Sequence, residues 1–237
     1  MESKLRRVIY DLAKKHKPGV TGREDKPMSI IQFSKGQPIP QTPHFSRYEF
    51  DCPCGRCSMT KHDTELSQRL ETLRAIVGPL HVSSGYRCPS HNAAVGGARN
   101  SMHVSGRAAD IHGNLNPVAL GIIAQAQGFR GVGIYWYGST AFVHVDTRPI
   151  RATWLCVAIR KYNYTSLLSF LLPTIRRGSS GPAVQMLQRL LGVSVDGVFG
   201  AGTERALKTA QAKAGIAADG VCGSETWRRI SGAYKFM

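Results

Sequence analysis

The stretch SGYRCPSHN (residues 84–92), followed by GGARNSMHVSGRAADI (residues 96–111), determines the fold and the chemistry that we predict for this chain. Its polar residues include His103 and Asp110, and His144 follows further on in the short sequence FVHVD. A catalytic zinc ion needs three protein ligands of imidazole and carboxylate type, with one position left open. Because two imidazoles and a carboxylate make up such a set, these three residues are candidate metal ligands.

The residues around the three candidates fit a metal site. Three glycines permit a close backbone approach around His103: Gly96, Gly97 and Gly106. On a strand, Val143 and Val145 alternate with His144, so the imidazole faces away from the apolar pair. Each candidate alone is also explained as a hydrogen-bonded surface or core side chain. Only their combination favours a metal.

The elements predicted around these motifs are of mixed α+β type. Asp63 or Thr64 caps a helix whose apolar residues recur at three- to four-residue spacing. A second helix over residues 116–128 begins with an Asn-Pro pair, which is typical of a helix start. Strands are predicted at residues 80–83, 133–137 and 141–147.

Residues 45–149 resemble the M15 zinc peptidases, the group of D-Ala-D-Ala carboxypeptidases and L-Ala-D-Glu endopeptidases. The resemblance implies an α+β zinc peptidase domain with a small antiparallel sheet and helices. It also implies that His103, Asp110 and His144 bind Zn²⁺. Arg87 matches a family arginine that holds a substrate carboxylate or carbonyl oxygen near the metal, which suits a guanidinium; a plain surface charge is the alternative.

The resemblance does not supply a general base. Many relatives have Glu or Asp three residues before the second ligand histidine, where this chain has Ala141, and Phe142 lies two before. Asp146 is our candidate, because two residues along a strand return to the face of His144. A group that only orients His144 is an equal alternative for Asp146. Lesser options for proton transfer are His81, His91 and His112.

Four of the six cysteines form a local group in the same part of the chain. They are Cys52, Cys54, Cys57 and Cys88, a CxCxxC motif plus one distant thiol. Such a set is a candidate for a second, structural metal, although the spacing only partly matches the usual paired CxxC arrangement. Reduced structural cysteines or one disulfide are the alternatives.

The C-terminal part is predicted to be a small helical bundle. Apolar residues on one helical face stop at Gly192, and a second helix over residues 203–214 stops at Gly215. DGVFG (196–200) and DGVCG (219–223) are each followed three residues later by threonine. This repeat predicts two tight Asp-Gly turns, each leading into a Thr-capped helix.

Residues 175–230 resemble the peptidoglycan-binding domain with a three-helix core, and Cys222 departs from the usual residue in its second turn. The 237 residues have room for two small domains. We predict an N-terminal helix (4–16) and arm of unknown role within residues 1–43, and a peptidase domain over 44–150. A peripheral segment and linker (151–174) and the peptidoglycan-binding domain (175–237) follow.

The net charge of +16 is spread along the whole chain. The number of Lys and Arg residues minus the number of Asp and Glu residues is +5 for residues 1–41, +6 for 42–173 and +5 for 174–237. A basic surface favours a polyanionic partner such as nucleic acid, anionic lipid or the phosphate-rich bacterial wall. Nucleic acid is not expected, because the basic residues are not interleaved with a stacking aromatic platform. The hydrophobic fraction of 42% excludes wholesale disorder.

The predicted function is zinc-dependent hydrolysis of an amide bond in the peptidoglycan stem peptide or crosslink by a monomer, as in a phage endolysin. No membrane span is expected, since the apolar run 167–173 is far shorter than about 20 residues. The N-terminus lacks a continuous apolar core, which predicts synthesis in the host cytoplasm without a signal peptide and release to the wall through a holin. The alternatives are a non-catalytic wall-binding protein with a degenerate peptidase domain, a secreted host D-Ala-D-Ala carboxypeptidase, and a nucleic-acid binder.

Overall fold

The structure is a computed structural model that describes residues 30–37, 42–158, 161–165 and 172–236. The helix predicted over residues 4–16 lies outside these ranges. The helices of the described part of the chain are all too short or too polar to span a membrane.

The described chain begins with a small two-stranded sheet of β1 (Ile30–Ser34) and β2 (Met59–Asp63). The strands pair antiparallel, from Ile30 opposite Asp63 to Ser34 opposite Met59. Residues 30–34 therefore differ from the predicted arm. Their sequence, IIQFS, contains β-formers, but the Gly/Pro/Lys-rich residues around it hid the strand.

A six-stranded sheet lies at the centre of the N-terminal domain. Its strands are β3 (Leu80–Ser84), β4 (Ala108–Gly113), β5 (Gly131–Tyr137), β6 (Thr140–Asp146), β7 (Ala152–Ala158) and β8 (Lys161–Thr165). Their spatial order is β3-β4-β6-β5-β7-β8. Neighbouring strands are antiparallel except for the parallel pair β5 and β7. The α+β class with a small, mainly antiparallel sheet is confirmed.

Four helices accompany this sheet, and two of them cover its apolar face. They are α1 (Arg47–Phe50), α2 (Thr64–Val77), α3 (Pro89–Ala94) and α4 (Pro117–Ala126). The Asp63 carboxylate caps α2 by accepting from the Glu65 N–H at 3.1 Å, and Asn116 caps α4 by accepting from the Ala119 N–H at 2.9 Å. Helices α2 and α4 pack on the face that carries Ala109, Ile111, Val132, Ile134, Val143 and Val145.

Strand β7 lies inside the sheet, between β5 and β8. The prediction of a peripheral segment and linker over 151–174 is therefore corrected for these residues. Four consecutive side chains are buried: Thr153, Trp154, Leu155 and Cys156. A strand that is covered on both faces shows no two-residue alternation, which is why the sequence pattern did not reveal it.

The C-terminal domain is a three-helix bundle, as predicted. Its helices are α5 (Pro182–Leu191), α6 (Ala201–Lys213) and α7 (Ser224–Ser231), and a 3₁₀ helix (Ala233–Phe236) follows. Gly192, in the left-handed region with φ of 68°, ends α5. The core consists of Val184, Met186, Leu187, Phe199, Leu207, Cys222 and Trp227. Cys222, the unusual residue of the second turn, is thus a buried core side chain.

The predicted threonine caps are wrong. The N-caps of α6 and α7 are Gly200 and Gly223, and neither makes a side-chain cap hydrogen bond. The Thr203 hydroxyl instead accepts from the Gln188 side chain at 3.2 Å. The helices begin at Ala201 and Ser224, so Thr203 and Thr226 are the third residues of their helices and lie beyond the cap position.

Two equivalent hydrogen-bond networks centred on buried glutamines organise the bundle. Gln188 donates to Asp196 Oδ1 at 2.7 Å and to the Val198 carbonyl at 3.1 Å, and its Oε1 accepts from the Gly197 N–H at 2.9 Å. Gln211 makes the same contacts: it donates to Asp219 Oδ1 at 2.8 Å and to the Val221 carbonyl at 3.0 Å, and its Oε1 accepts from the Gly220 N–H at 3.0 Å. The repeated Asp-Gly turns are therefore fixed by side chains of the preceding helices.

The two domains share a packed interface. Helix α4 of the N-terminal domain contacts α7 and the 3₁₀ helix, and α5 contacts β7. The Asn116 side chain, which also caps α4, donates to the Ser231 carbonyl at 3.0 Å. Buried apolar side chains of both domains form one continuous cluster. The C-terminal bundle is therefore docked onto the domain that carries the candidate site.

Candidate metal centre

The register of the central sheet brings two of the predicted ligands together. Asp110 on β4 and His144 on β6 are direct partners in an antiparallel pair. Directly opposite residues project to the same face of a sheet. The neighbours Val143 and Val145 project to the other face and are fully buried in the core, so the imidazole faces away from them, as predicted.

The third predicted ligand, His103, comes from the turn-rich segment between α3 and β4. Gly106 ends this segment with φ of 74°, and a Cβ there would lie 2.3 Å from the Lys61 carbonyl oxygen. At Gly97 a Cβ would lie 2.1 Å from the Asn92 side chain. These glycines permit the close packing that folds the segment back over the sheet.

The ligand atoms of the three residues converge on one point. His144 Nδ1 lies 3.0 Å from Asp110 Oδ1 and 3.1 Å from His103 Nε2. His103 Nε2 lies 3.2 Å from the same Asp110 oxygen. Two ligands bound at about 2.0–2.1 Å to a tetrahedral zinc ion lie about 3.3 Å apart. The spacing of the three atoms therefore matches that of zinc ligands.

The far nitrogen of each imidazole has its own partner. His103 Nδ1 lies 2.6 Å from the Gly85 carbonyl oxygen, and His144 Nε2 lies 2.9 Å from Asp146 Oδ2. Metal-binding histidines almost always donate their second N–H to a carbonyl or carboxylate, which fixes the tautomer and the ring. The donor set, its spacing and these partners together fit a zinc ion.

Asp146 lies beneath the site, on the far side of the His144 ring from Asp110. Its side chain is fully buried and accepts from Arg148 Nε at 2.8 Å and from the Arg148 backbone N–H at 3.0 Å. A Cβ on Gly131, its partner on β5, would lie 2.1 Å from the carboxylate. The glycine therefore makes the room that Asp146 occupies.

A second glycine on β5 shapes the other side of the site. A Cβ on Gly133 would lie 2.3 Å from the Trp154 indole. The indole lies over this glycine and contacts His144, with ring centroids 5.1 Å apart. Its Nε1 donates to the Tyr135 hydroxyl at 3.1 Å. Trp154 thus packs against the imidazole because Gly133 has no side chain.

Arg87 borders the same centre. Its guanidinium forms an ion pair with Asp110 Oδ2, and its Nε donates to the Ser84 hydroxyl at 2.8 Å. The two carboxylate oxygens of Asp110 are thus divided, one facing the imidazoles and one facing Arg87. The side chain remains 17% exposed and reaches the cleft described below.

The pKa values of the cluster reflect its close pairing. Burial, the largest influence, lowers the pKa of His144, but hydrogen bonds to Asp110 and Asp146 outweigh it and raise the value to about 9. Burial also opposes ionisation of Asp146, yet its bonds with His144 and Arg148 hold its pKa well below the ordinary range. Burial lowers the pKa of His103. A metal ion that binds these ligands must therefore displace a proton.

The three candidate ligands line a cleft of about 640 Å³. Its aromatic wall consists of Tyr135, Tyr137, Phe142 and Trp154. Tyr135 stacks on Phe142 with centroids 4.3 Å apart and an interplanar angle of 11°. Among the described residues that line the cleft, Asp110 is the one carboxylate.

The histidines considered for proton transfer lie outside this lining. The ring centroids of His112 and Phe142 are 6.1 Å apart, and His112 Nε2 is hydrogen-bonded to the Ser83 hydroxyl at 2.8 Å. His81 follows at 6.3 Å from His112, further along the sheet. His91 lies on α3. None of the three contributes to the cleft wall in the described part of the chain.

The four clustered cysteines also come together. One ligand atom from each of Cys52, Cys54, Cys57 and Cys88 lies within 4.8 Å of the others. Cys156 and Cys222 are buried elsewhere.

Sequence reasoning missed several residues that support the site. The Gly85 carbonyl is a backbone group, so no residue type in the sequence indicates its role. Trp154 lies in a strand that was not predicted. Arg148 lies two positions after Asp146 in HVDTR, and strand alternation would have placed it beside that carboxylate. The GVG sequence of β5 was a second available signal, since glycine inside a strand often marks a close approach.

An α+β domain whose cleft opens over two imidazoles and a carboxylate has the arrangement of a metallopeptidase domain. Residues 43–146 match the family model described as Peptidase M15. Residues 180–230 match a model described as a peptidoglycan binding domain. The chain thus carries a Peptidase M15 domain followed by a C-terminal peptidoglycan-binding domain.

Two curated relatives are similar to the N-terminal part. The probable peptidoglycan L,D-endopeptidase MepK of Haemophilus influenzae is 33% identical over 103 residues, covering 40% of this chain and 54% of that protein. The peptidoglycan L,D-endopeptidase MepK of Escherichia coli is 34% identical over 98 residues, covering 38% and 53%. The chain therefore spans about half the length of the curated relatives it matches.

Among solved structures, one similar chain is a peptidoglycan-binding protein from Clostridioides difficile in complex with glutamine hydroxamate. The match has 33% sequence identity, covers 30% of this chain and 46% of that one, and has a TM-score of 0.26. A TM-score this low does not establish a common overall arrangement.

Proposed function

We propose that this chain hydrolyses an amide bond in the stem peptide or crosslink of peptidoglycan, with Zn²⁺ bound by His103, Asp110 and His144. The observation that carries the proposal is the convergence of three ligand atoms, 3.0–3.2 Å apart, at a cleft. The Peptidase M15 match and the names of the MepK relatives support the reaction and the substrate class.

The zinc ion would supply Lewis acidity, which polarises the carbonyl of an unactivated amide. Arg87 lies beside the ligands and keeps part of its guanidinium at the cleft. It would bind a substrate carboxylate or carbonyl oxygen and hold the peptide across the site. The flat stack of Tyr135 on Phe142 provides an apolar wall for the rest of the substrate.

The geometry favours an orienting role for Asp146. Its carboxylate contacts the His144 nitrogen that points away from the other two ligands. The side chain is fully buried, and the Arg148 side chain and backbone N–H also donate to it. A base must reach the proton that it removes from water, and Asp146 does not line the cleft. We therefore assign it the task of holding His144 in its ligand tautomer.

The C-terminal domain would keep the enzyme on its polymer. Binding to peptidoglycan raises the local substrate concentration without any new contact at the active site. The charge of +5 over residues 174–237 adds attraction to an anionic wall. The interface of this bundle with the peptidase domain fixes the direction in which the cleft is presented.

We extend the proposal to a lytic role like that of a phage endolysin, made in the host cytoplasm and passed to the wall through a holin. The fusion of a peptidase domain with a wall-binding domain supports it. Expression in a bacterium with and without a co-expressed holin would test it. Lysis that needs the holin is the expected result, and lysis without it would contradict this route.

One observation favours a second candidate, a wall-binding protein without hydrolytic activity. Among the described cleft residues, there is no carboxylate beyond the ligand Asp110 to act as a base. Under this alternative, the cleft would bind a stem peptide and leave it intact.

Digestion of defined peptidoglycan, followed by mass spectrometry of the released fragments, separates the two candidates. We expect new amine and carboxyl ends at one type of bond. A bond between L and D centres is the first to examine, given the names of the relatives. Intact stem peptides after digestion with zinc-loaded protein would contradict hydrolysis. Retention of the full-length protein on insoluble walls would then leave the binding function.

A further inference from the structure

The four clustered cysteines hold together two segments that are distant in sequence. Cys52, Cys54 and Cys57 lie in the turn between α1 and β2, and Cys88 is the N-cap residue of α3. Cys88 directly follows Arg87. The cluster is therefore adjacent in the chain to a residue of the cleft, but it is separate from the histidine and aspartate ligands.

The sulfur atoms are spaced as ligands of one ion. The Sγ atoms of Cys52 and Cys88 are 3.8 Å apart, those of Cys54 and Cys57 are 3.5 Å apart, and those of Cys54 and Cys88 are 3.7 Å apart. Thiolates bound at about 2.3 Å to a tetrahedral zinc ion lie about 3.8 Å apart. A disulfide needs about 2.05 Å and joins only two sulfurs, so it does not explain why four converge.

The backbone around the sulfurs is arranged as in a metal-binding turn. Gly55 adopts the left-handed region with φ of 68° between two of the cysteines. The Arg56 N–H donates to Cys54 Sγ at 3.4 Å, and the Cys88 N–H donates to Cys52 Sγ at 3.4 Å. Such hydrogen bonds stabilise thiolate over thiol, and thiolate is the form that binds metal.

We propose that Cys52, Cys54, Cys57 and Cys88 bind a second zinc ion, which has a structural role. Four thiolates complete the tetrahedral coordination of zinc and leave no open position. Two of the sulfurs belong to buried residues, Cys52 and Cys88, which limits exchange of the ion with solvent.

This zinc would anchor the segment that supports the catalytic centre. Between Cys88 and the sheet lies Gly85, whose carbonyl accepts from the ligand His103. The Tyr86 N–H donates to the Phe50 carbonyl at 2.9 Å, next to the first cysteines, and the Arg87 N–H donates to the His103 carbonyl at 3.2 Å. Fixing Cys88 to the turn after α1 thus fixes Gly85 and Arg87 relative to the ligands.

Metal analysis of purified full-length protein tests the proposal independently of the proposed function. The His103→Ala variant, with one catalytic ligand removed, should retain one zinc per chain. Adding Cys54→Ser and Cys57→Ser to it should remove that zinc, whereas adding Cys156→Ser, which removes a buried thiol outside the cluster, should not. If the catalytic site binds no zinc, the wild type and His103→Ala should both hold this one ion.

Cobalt replacement identifies the ligands without any cysteine substitution, so it does not depend on whether the cysteine variants fold. Co²⁺ bound to the His103→Ala chain should show an intense thiolate-to-cobalt charge-transfer band, which imidazole and carboxylate ligands do not produce. A folded His103→Ala chain without zinc or this band, with four rapidly reacting thiols, would overturn the proposal. So would a native disulfide among the four cysteines, detected by mass spectrometry under non-reducing conditions. Hydrogen exchange at Tyr86 and Arg87 should accelerate when the ion is removed.

Discussion

The candidate metal centre and the C-terminal bundle both contain buried polar groups, but the two regions position these groups in opposite ways. At the metal centre, the register of β4 and β6 pairs Asp110 with His144, and a distant turn supplies His103. In the bundle, Gln188 reaches only as far as Thr203, and Gln211 repeats the same contacts one unit later. One arrangement depends on the whole sheet, and the other depends on one helix and the turn that follows it.

The difference indicates how each region should respond to substitution. Ligands that converge from distant segments depend on one another, because moving one leaves the remaining charges buried and poorly paired. Two local networks with separate partners should behave independently. Substitutions at the candidate metal centre should therefore lower activity strongly, whereas substitutions in the bundle should lower stability and leave the rate of hydrolysis nearly unchanged.

The largest effect is expected for His103→Ala. Loss of one of three protein ligands should remove the catalytic metal, whose contribution of several kcal/mol corresponds to about 10³-fold or more in rate. Binding of the full-length variant to insoluble peptidoglycan should remain, because the substitution lies outside the bundle and leaves both glutamine networks intact. Wall-binding and fragment-release assays measure the two properties. Simultaneous loss of both would break the proposed separation between the regions.

Asp146→Asn should have the next largest effect. An orienting carboxylate typically changes metal affinity by about 10–100-fold, and excess zinc should then restore the rate. A general base would instead lower the rate by about 10²–10⁴-fold with zinc still bound. Activity measured against added zinc distinguishes the two roles. Asp196→Asn in the bundle is the matched control, and it should leave the zinc affinity unchanged.

The convergence of His103, Asp110 and His144 could be predicted from sequence because these residue types stand in motifs with recognisable neighbours. The α2 and α4 caps were predictable for the same local reason, since Asp63 and Asn116 bond to the first turns of their own helices. What was not predictable depends on distant parts of the chain. Strand β7 has no alternation because both of its faces are covered.

The missed strand β1 and the wrongly predicted threonine caps also result from contacts between distant parts of the chain. Strand β1 forms because β2 offers it a partner, and five residues flanked by Gly-, Pro- and Lys-rich sequence give little signal without that partner. Thr203 and Thr226 were predicted as helix caps, but the helices begin two residues earlier, and buried glutamines bond to the threonine hydroxyls. In each case, a tertiary contact outweighs the local preference.

A smaller effect is expected for Gly133→Ala. The new Cβ would lie 2.3 Å from the Trp154 indole, so the indole must move away from His144. Overpacking of this kind costs about 1–3 kcal/mol in the free energy of unfolding. Denaturant unfolding and the Trp154 fluorescence should both change. Gly202→Ala, in open space on α6, is the control and should be neutral or stabilising by up to about 1 kcal/mol.

The smallest effect, and the sharpest test of the comparison, is the difference between Gln188→Ala and Gln211→Ala. Each substitution removes one hydrogen-bond partner from an aspartate, a carbonyl, a threonine hydroxyl and a glycine N–H, so each should lower the free energy of unfolding by about 1–3 kcal/mol. Because the two sets of bonds match to within 0.1 Å, the two losses should agree to within about 0.5 kcal/mol. Urea unfolding measures them, and Thr209→Ala on the surface of α6 should change stability by less than about 0.5 kcal/mol. Peptide-bond hydrolysis measured well below the unfolding transition should be unchanged in both glutamine variants. A large loss from one glutamine and none from the other would show that the repeated networks are not equivalent, and that one of them is stabilised by contacts with the peptidase domain.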